Sequence, residues 1–149
     1  MTKIDQVDAE IDSFGGWRLG DQVGFLMRRA QQRHLSIFAS RVPGLTSTQF
    51  AALAMLVQNG PLSQNELGRR TAMDAATIKG VVDRLRAQGL VKSDKWPDDR
   101  RRVFLTATAA GAELMTGLVR QAKQITADTL APLTPDEQKT FLALLRRLL

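Results

Sequence analysis

The chain has 149 residues, 44% of them hydrophobic, with a formal net charge of +6 and no cysteine. This length suits one domain, or one domain with an extension, and allows a substantial core, while the lack of cysteine excludes disulfides, thiolate metal ligands, cysteine nucleophiles and cysteine-oxidation sensing. Because no apolar run of about eighteen residues and no signal-peptide core is present, we expect a cytoplasmic protein without a membrane partner.

The first predicted elements are an N-terminal arm and a long helix. Residues 1–18 contain apolar residues at helical spacing followed by two glycines, which indicates an arm that packs on a partner subunit, with disorder as the alternative. From Leu19 to about Arg41, apolar residues again recur at helical spacing. This predicts a long helix that a single small domain does not need.

A capping box opens the next predicted helix. The Thr46 hydroxyl and the Gln49 side chain can each bond the other residue's backbone N–H group, and Gly60-Pro61 ends the helix. The residues expected to be largely buried are Phe50, Leu53, Ala54 and Val57. The helix carries no charged side chain, so we interpret it as core scaffold.

Two helix signals joined by a tight turn follow. Ser63 and Glu66 have the spacing of a second capping box, and Asp74 can cap a second helix over residues 75–88, which Gly89 ends. The residues predicted to form the buried stripe of this second helix are Ile78, Val81, Val82 and Leu85. Two helices in this arrangement indicate a helix-turn-helix.

The opposite face of the second helix is predicted to read DNA. Small residues in its first turn let the backbone approach a groove closely while the helix N-terminus faces phosphate. The predicted DNA-contacting residues in these two helices are Ser63, Gln64, Ala75, Ala76, Thr77, Lys79 and Arg86. Asp83 is expected to pair with Arg86 or with an arginine of the wing. The alternative is an ordinary solvent-exposed helix face.

A basic hairpin comes next. The segments 90–95 and 102–106 flank a turn-rich, charged stretch, which predicts a β-hairpin, or wing. Its tip carries Arg100, Arg101 and Arg102, and arginine suits a narrow, electronegative minor groove. Residues 63–106 hold ten basic against six acidic side chains. Such an excess is expected where a protein displaces counterions from DNA, although charge runs often only solvate a surface.

Two further helices complete the chain. Thr106 or Thr108 is expected to cap a helix that runs to about Leu130, and Thr134 with Glu137 forms a capping box for the last helix. Their predicted apolar stripes are Leu114, Leu118, Ala122, Ile125 and Thr129, and then Phe141, Leu144, Leu145 and Leu148. The long first helix and these two C-terminal helices lie outside the winged segment and offer more apolar surface than one domain needs, so we expect a two-fold homodimer. Its recognition helices would lie roughly 34 Å apart, one turn of B-DNA.

The order of these elements resembles the MarR (multiple antibiotic resistance regulator) family of winged helix-turn-helix transcription factors. The likeness is carried by a helix, the segment TAMDAATIKGVVDRLRAQGLV, a charged wing with DDRRR and the closing FLT. It implies a mainly α fold with a small β-hairpin wing, flanked by dimerisation helices. The implied divisions are an arm at 1–18, a dimerisation helix at 19–45, a DNA-binding domain at 46–106 and C-terminal dimerisation helices at 107–149.

The resemblance also implies a pocket between the dimerisation helices and the winged domain, where family members bind small, often aromatic, carboxylates or phenols. The candidate ligand-binding residues are Trp17, Arg18, His34, Phe38, Arg41 and Met55. The cations among them suit a carboxylate, and the flat or polarisable side chains suit an aromatic ring. The alternative is that Trp17 and Phe38 are simply core residues. Since no acid or cysteine stands at ligand spacing from His34, we expect no metal site.

No catalytic motif accompanies these features. The sequence lacks a nucleophile elbow, a phosphate-binding glycine loop, an HExxH motif and a paired His/Asp site, so we predict no catalytic residues and no cofactor. We predict a ligand-responsive, homodimeric transcriptional regulator that binds a palindromic site, with repression implied by the resemblance alone. The competing hypotheses are a winged-helix module that binds protein and a small enzyme that depends on His34.

Overall fold

The computed structural model describes residues 14–149, so most of the predicted N-terminal arm lies outside the described residues. The described residues divide into two compact units, one that extends up to residue 36 and one over residues 37–149. The described helices and strands are α1 Val23–Arg41, α2 Ser47–Asn59, α3 Gln64–Arg70, α4 Ala75–Ala87, β1 Val91–Lys95, β2 Val103–Ala107, α5 Ala109–Leu130 and α6 Pro135–Arg146. This confirms the mainly α fold with a small hairpin. Within the described part, no helix is both long and apolar enough to cross a membrane.

In the first unit, the predicted long helix begins later than expected. A single 3₁₀ turn, Leu19–Asp21, comes first, and Gln22 then has an extended backbone with φ −85° and ψ 134°. The continuous helix predicted from Leu19 is therefore wrong, because this one extended residue interrupts the helical hydrogen bonding before Val23. The exposed apolar side chains along the start of α1 are Val23, Leu26 and Met27.

Side-chain caps begin the helices of the second unit where the sequence predicted them. Thr46 and Thr134 each form a complete capping box, with Gln49 and Glu137 respectively. The other caps, each accepting a hydrogen bond from the backbone N–H group three residues later, are Ser63, Asp74 and Thr108. The open choice for the α5 cap is therefore decided in favour of Thr108.

The core of the second unit lies under α4 and the hairpin. The four residues predicted as the buried stripe of α4 are each at most 3% exposed. Helices α3 and α4 cross at Gly68, where an added Cβ would lie 3.1 Å from both the Ile78 Cγ2 atom and the Met73 carbonyl oxygen. Strands β1 and β2 pair antiparallel, with Val91 opposite Ala107. The hairpin thus extends directly from the end of the helix-turn-helix.

Two predicted apolar stripes are only partly buried in this core. On α2 the buried residues are Gln49, Ala52, Leu53 and Leu56, whereas Phe50 and Ala54 are half-buried and Val57 is 38% exposed. On α5, Ile125 is buried and Leu118 packs against the core as predicted, whereas Leu114 is 37% exposed and the buried residue beside it is Met115. The stripes were thus predicted correctly at Leu53 and Ile125 and wrongly at Val57 and Leu114, because α2 is apolar on more than one face and spacing alone does not reveal which face meets the core.

The last helix, α6, contains no buried residue. Its predicted stripe is on the surface, with Phe141 43% and Leu144 52% exposed. The Gln138 side chain donates hydrogen bonds of 3.1 Å to the carbonyl oxygens of Leu130 and Leu133, which holds α6 against the end of α5. The apolar face of α6 is therefore open to another chain.

Candidate functional site

The candidate DNA-reading surface is the solvent-facing side of α4. Ala75, Ala76 and Thr77 are exposed in its first turn, and Lys79 and Arg86 are exposed further along. The Asp74 carboxylate accepts a 2.7 Å hydrogen bond from the Thr77 backbone N–H group, which lowers the Asp74 pKa. With only methyl groups and one hydroxyl at its start, the helix can approach a DNA groove closely.

Asp83 on this surface pairs with Lys79 and not with an arginine. The Lys79 ammonium group donates to the Asp83 carboxylate at 2.8 Å, and this hydrogen bond is the main cause of a lowered Asp83 pKa, with the charge of Arg86 adding less. The predicted arginine partner is wrong: Lys79 and Arg86 both lie about one helical turn from Asp83, and it is the Lys79 side chain that takes the conformation that reaches the carboxylate. Asp83 therefore competes with DNA for the Lys79 ammonium group.

Helix α3 carries the two residues predicted to hold phosphates, Ser63 and Gln64, and both are half-buried. The Ser63 hydroxyl accepts a 3.2 Å hydrogen bond from the Glu66 backbone N–H group. The Glu66 carboxylate accepts hydrogen bonds from Arg69 and Arg70 at 2.9 and 2.7 Å, which lower its pKa to about 2. The predicted capping box is thus only half formed, because the Glu66 side chain binds these two arginines instead.

The predicted wing arginines differ in their surroundings. Arg100 and Arg101 are exposed in the turn, where the Arg101 backbone N–H group donates to the Asp99 carboxylate at 3.0 Å. The Arg102 guanidinium instead lies over the Trp96 ring, 5.7 Å from its centroid. Our sequence reasoning missed Trp96. Its position at the start of the turn, opposite an arginine, was the available signal.

The candidate ligand-binding residues lie in both units. In the first unit, Trp17 is 50% exposed, and its ring contacts the Phe14 ring edge-on at a centroid distance of 6.3 Å. Arg18 and His34 belong to the same unit. Ligand binding by these three residues stays a prediction.

The three candidates of the second unit have partners of their own. The Phe38 ring packs edge-on against Phe50 at 5.4 Å and is buried in the core, which favours the core interpretation of Phe38. Arg41 forms an ion pair with Asp128, at 2.7 Å from Nη2 and 2.9 Å from Nε. Met55 is half-buried and packs against the core. A carboxylate ligand at Arg41 would therefore compete with Asp128 for the guanidinium.

A cleft of about 410 Å³ lies between α2 and α5, within the second unit. Its apolar lining residues are Phe50, Ala54, Val57, Met115, Val119 and Ala122. Its polar lining residues are Gln58, Thr116, Lys123 and Thr126. Our site prediction missed the cleft, although Phe50, Ala54 and Val57 recur at helical spacing. They form the second apolar face of α2, which the prediction assigned to the core.

The start of α5 is attached directly to the end of α4. The Thr108 hydroxyl donates to the Gly89 carbonyl oxygen at 2.6 Å, and the Thr108 backbone N–H group donates to the Leu90 carbonyl oxygen at 3.0 Å. Gly111 packs so closely that an added Cβ would lie 2.2 Å from the Leu90 carbonyl oxygen. The first turn of α5 is therefore anchored to the residues that follow the candidate recognition helix.

Comparison with known proteins identifies the family. A MarR-family model matches residues 44–102. The HTH-type transcriptional repressor NicR of Pseudomonas putida is 43% identical over 131 residues, which cover 87% of this chain and 83% of NicR. This chain belongs to the MarR family. The resemblance seen in the sequence is thereby confirmed, and MarR-family membership makes the chain a DNA-binding transcriptional regulator and not an enzyme, as predicted.

Two solved MarR-family structures resemble the chain over most of its length. A probable transcriptional regulator from Pseudomonas aeruginosa is 48% identical, with a TM-score of 0.85 over 89% of this chain and 100% of that one. BpsR of Bordetella bronchiseptica, whose DNA binding is regulated by 6-hydroxynicotinic acid, is 40% identical, with a TM-score of 0.84 over 89% of this chain and 96% of BpsR. The individual DNA-contacting and ligand-binding residues stay predictions.

Proposed function

We propose that this chain is a homodimeric repressor that binds a palindromic promoter site and leaves it when a small aromatic carboxylate binds. The observation that carries the proposal is the exposed, small-residue start of α4 beside a basic wing, in a chain 43% identical to a transcriptional repressor. Because the target is promoter DNA, we place the protein in the cytoplasm. The exposed apolar residues of α1 and of α6 supply the surface for a second copy.

On the DNA side, α4 enters the major groove. The methyl groups of Ala75, Ala76 and Thr77 suit apolar contact with thymine methyl groups, and Lys79 reaches a base edge or a phosphate. The exposed arginines at the wing tip suit the adjacent minor groove. In a two-fold dimer, two such reading heads roughly 34 Å apart fit successive major grooves of a palindrome.

On the effector side, we assign the cleft between α2 and α5 as the ligand site. Its volume of about 410 Å³ lies within the range of roughly 300–1,000 Å³ that is usual for small-molecule pockets. Phe50 and Val119 offer apolar walls for an aromatic ring, and Lys123 offers a cation for a carboxylate. Within residues 14–149 no ion pair holds Lys123, whereas Arg41 is held by Asp128. Lys123 is thus the better placed cation, and 6-hydroxynicotinic acid, which regulates BpsR, has the matching chemistry.

Helix α5 connects the two sites. It forms one wall of the cleft, and its first turn is hydrogen-bonded to Gly89 and Leu90 at the end of the recognition helix. A ligand that separates α5 from α2 therefore also tilts α4. At saturation, such a ligand lowers the DNA affinity by at most the ratio of the ligand's own affinities for the DNA-incompetent and the DNA-competent arrangement of α4.

The test begins by recovering bound DNA from random fragments and measuring its affinity by fluorescence anisotropy over a range of salt concentrations. Counterion release predicts a steep decrease of log K with log salt, whereas a protein-binding module would show a shallow slope or no binding. Aromatic carboxylates, with 6-hydroxynicotinic acid first, are then tested for release of the DNA, beside uncharged analogues of the same ring. Release by the uncharged analogues alone would contradict the carboxylate assignment.

Variants then locate the site. Lys123→Gln should raise the acid concentration needed for release about tenfold, the usual scale of one lost charge-assisted hydrogen bond, and leave DNA affinity unchanged. Arg120→Gln is the matched control, since Arg120 is an exposed cation on the same helix but does not line the cleft. Equal effects of the two substitutions would show that Lys123 acts only through general charge.

A further inference from the structure

The wing contains a stack of side chains that the predicted DNA contacts leave unexplained. Trp96 is half-buried at the start of the turn, with its ring centroid 4.7 Å from that of Phe104. The Arg102 guanidinium lies over the Trp96 ring at 5.7 Å. Trp96 thus contacts both an aromatic ring and a cation, two arrangements that are favourable beyond simple burial.

The backbone of the turn is closed by the same two residues. The Trp96 N–H group donates to the Arg102 carbonyl oxygen at 3.0 Å, which extends the hairpin by one pair beyond Lys95 and Val103. Inside this pair, the Asp99 N–H group donates to the Trp96 carbonyl oxygen at 3.3 Å, and the Arg102 N–H group donates to the Asp99 carbonyl oxygen at 3.0 Å. The position of the intervening tip therefore depends on how firmly Trp96 and Arg102 are held.

We propose that Trp96 is a positioning residue for DNA binding, whose stack on Arg102 and Phe104 fixes the turn that presents Arg100 and Arg101 to the DNA. Ordering long, charged side chains on an exposed loop costs conformational entropy at the moment of binding, and a turn ordered beforehand avoids part of that cost. Arg102, by this inference, acts as part of the stack and not as a phosphate contact. The inference rests on DNA binding by the winged domain.

The test is a double-mutant cycle in the full-length protein, with the selected DNA site at one salt concentration. Trp96→Ala should weaken binding about tenfold, which is about 1.4 kcal/mol. Trp96→Phe, which keeps a flat ring beneath Arg102, should restore most of the affinity. In a background that already carries Arg100→Ala and Arg101→Ala, Trp96→Ala should have no further effect, because the side chains it positions are gone.

Two measurements distinguish positioning from a loss of folding or a direct contact. The dimer mass of Trp96→Ala should equal that of the wild type, and its unfolding temperature should stay well above the temperature of the binding assay. The proposal would be overturned if Trp96→Ala lowered the DNA affinity equally in the wild type and in the protein that lacks Arg100 and Arg101. It would also be overturned if Trp96→Phe restored none of the affinity. Arg120→Ala removes a positive charge outside the wing, the cleft and the proposed dimer surface, and is the control for the loss of charge alone. A wild-type protein that binds no duplex would instead refute the DNA-binding function itself.

Discussion

The junction between α5 and the recognition helix can be tested by adding a single carbon atom. In Gly111→Ala the new Cβ would lie 2.2 Å from the Leu90 carbonyl oxygen and 3.1 Å from the Leu53 Cδ1 atom, whereas Cβ contacts shorter than 3.0 Å are essentially never seen in proteins. The two backbones must separate by at least the difference between 2.2 and 3.0 Å. This movement strains the hydrogen bond from the Thr108 N–H group to the same oxygen.

The chain supplies its own control in Gly117, which lies on the same helix and has no atom within 4 Å of an added Cβ. Both substitutions exchange glycine for alanine in α5, so the gain in helix propensity, up to about 1 kcal/mol, approximately cancels between the two variants. The remaining difference in the free energy of unfolding is the cost of overpacking, about 1–3 kcal/mol. For a chain of this size, that corresponds to roughly 2–12 °C in unfolding temperature.

The assays are thermal unfolding followed by circular dichroism, and DNA binding measured well below the unfolding temperature. Gly111→Ala should unfold at a lower temperature than Gly117→Ala and should bind the selected DNA site more weakly, because α4 has been tilted. Gly117→Ala should match or exceed the wild type in stability and match it in affinity. Identical behaviour of the two variants would refute the close packing of α5 on Leu90 and the transmission that depends on it.

Three other substitutions test separate contacts. Glu66→Gln should be less stable than the wild type near neutral pH, and since the Glu66 pKa is lowered from 4.5 to about 2, urea unfolding should show this difference vanish as the pH falls through that window. Asp83→Asn should bind random duplex more tightly, because it frees Lys79 to contact a phosphate. The slope of log K against log salt concentration, measured by anisotropy titrations, should steepen by about 0.9 for each Lys79 that gains a phosphate. Leu144→Glu should shift the dimer toward monomer in analytical ultracentrifugation and weaken binding to a palindrome, because it buries a charge in the proposed interface.

Each of these expectations has a clear contrary result. A stability difference for Glu66→Gln that is independent of pH would show that the ion pairs with Arg69 and Arg70 do not stabilise the fold. A slope unchanged in Asp83→Asn would show that Lys79 does not reach phosphate even when released. A fully dimeric Leu144→Glu would place the dimer contact elsewhere than on the apolar face of α6.

The helix starts could be predicted from the sequence because a cap is a local interaction. Thr46 and Asp74 each accept from a backbone N–H group three residues away, so residue type and spacing are sufficient to locate the first turn. Burial on α4 could be predicted for a related reason. That helix has one apolar stripe and one polar face, so only one orientation buries the stripe.

The cleft and the ion pairs could not be predicted in the same way. Phe50 and Val57 are as apolar as Leu53, and only the position of α5 determines which of them meets the core and which lines the cleft. Asp83 had arginine and lysine neighbours within reach, and the choice of Lys79 depends on side-chain conformations that spacing does not determine. The sequence shows which chemistry is available on a helix, but not which of two neighbouring groups will meet.

The absence of buried side chains in α6 has a consequence for how much protein the cell must make. Because no side chain of α6 is fully buried within its own subunit, the helix gains further packing energy when the second copy arrives, so folding of this segment and dimer formation are linked by mass action. While monomers predominate, the concentration of DNA-competent dimer rises with the square of the total protein concentration. A modest change in expression level would then act as a threshold for promoter occupancy, in addition to any control by a small molecule.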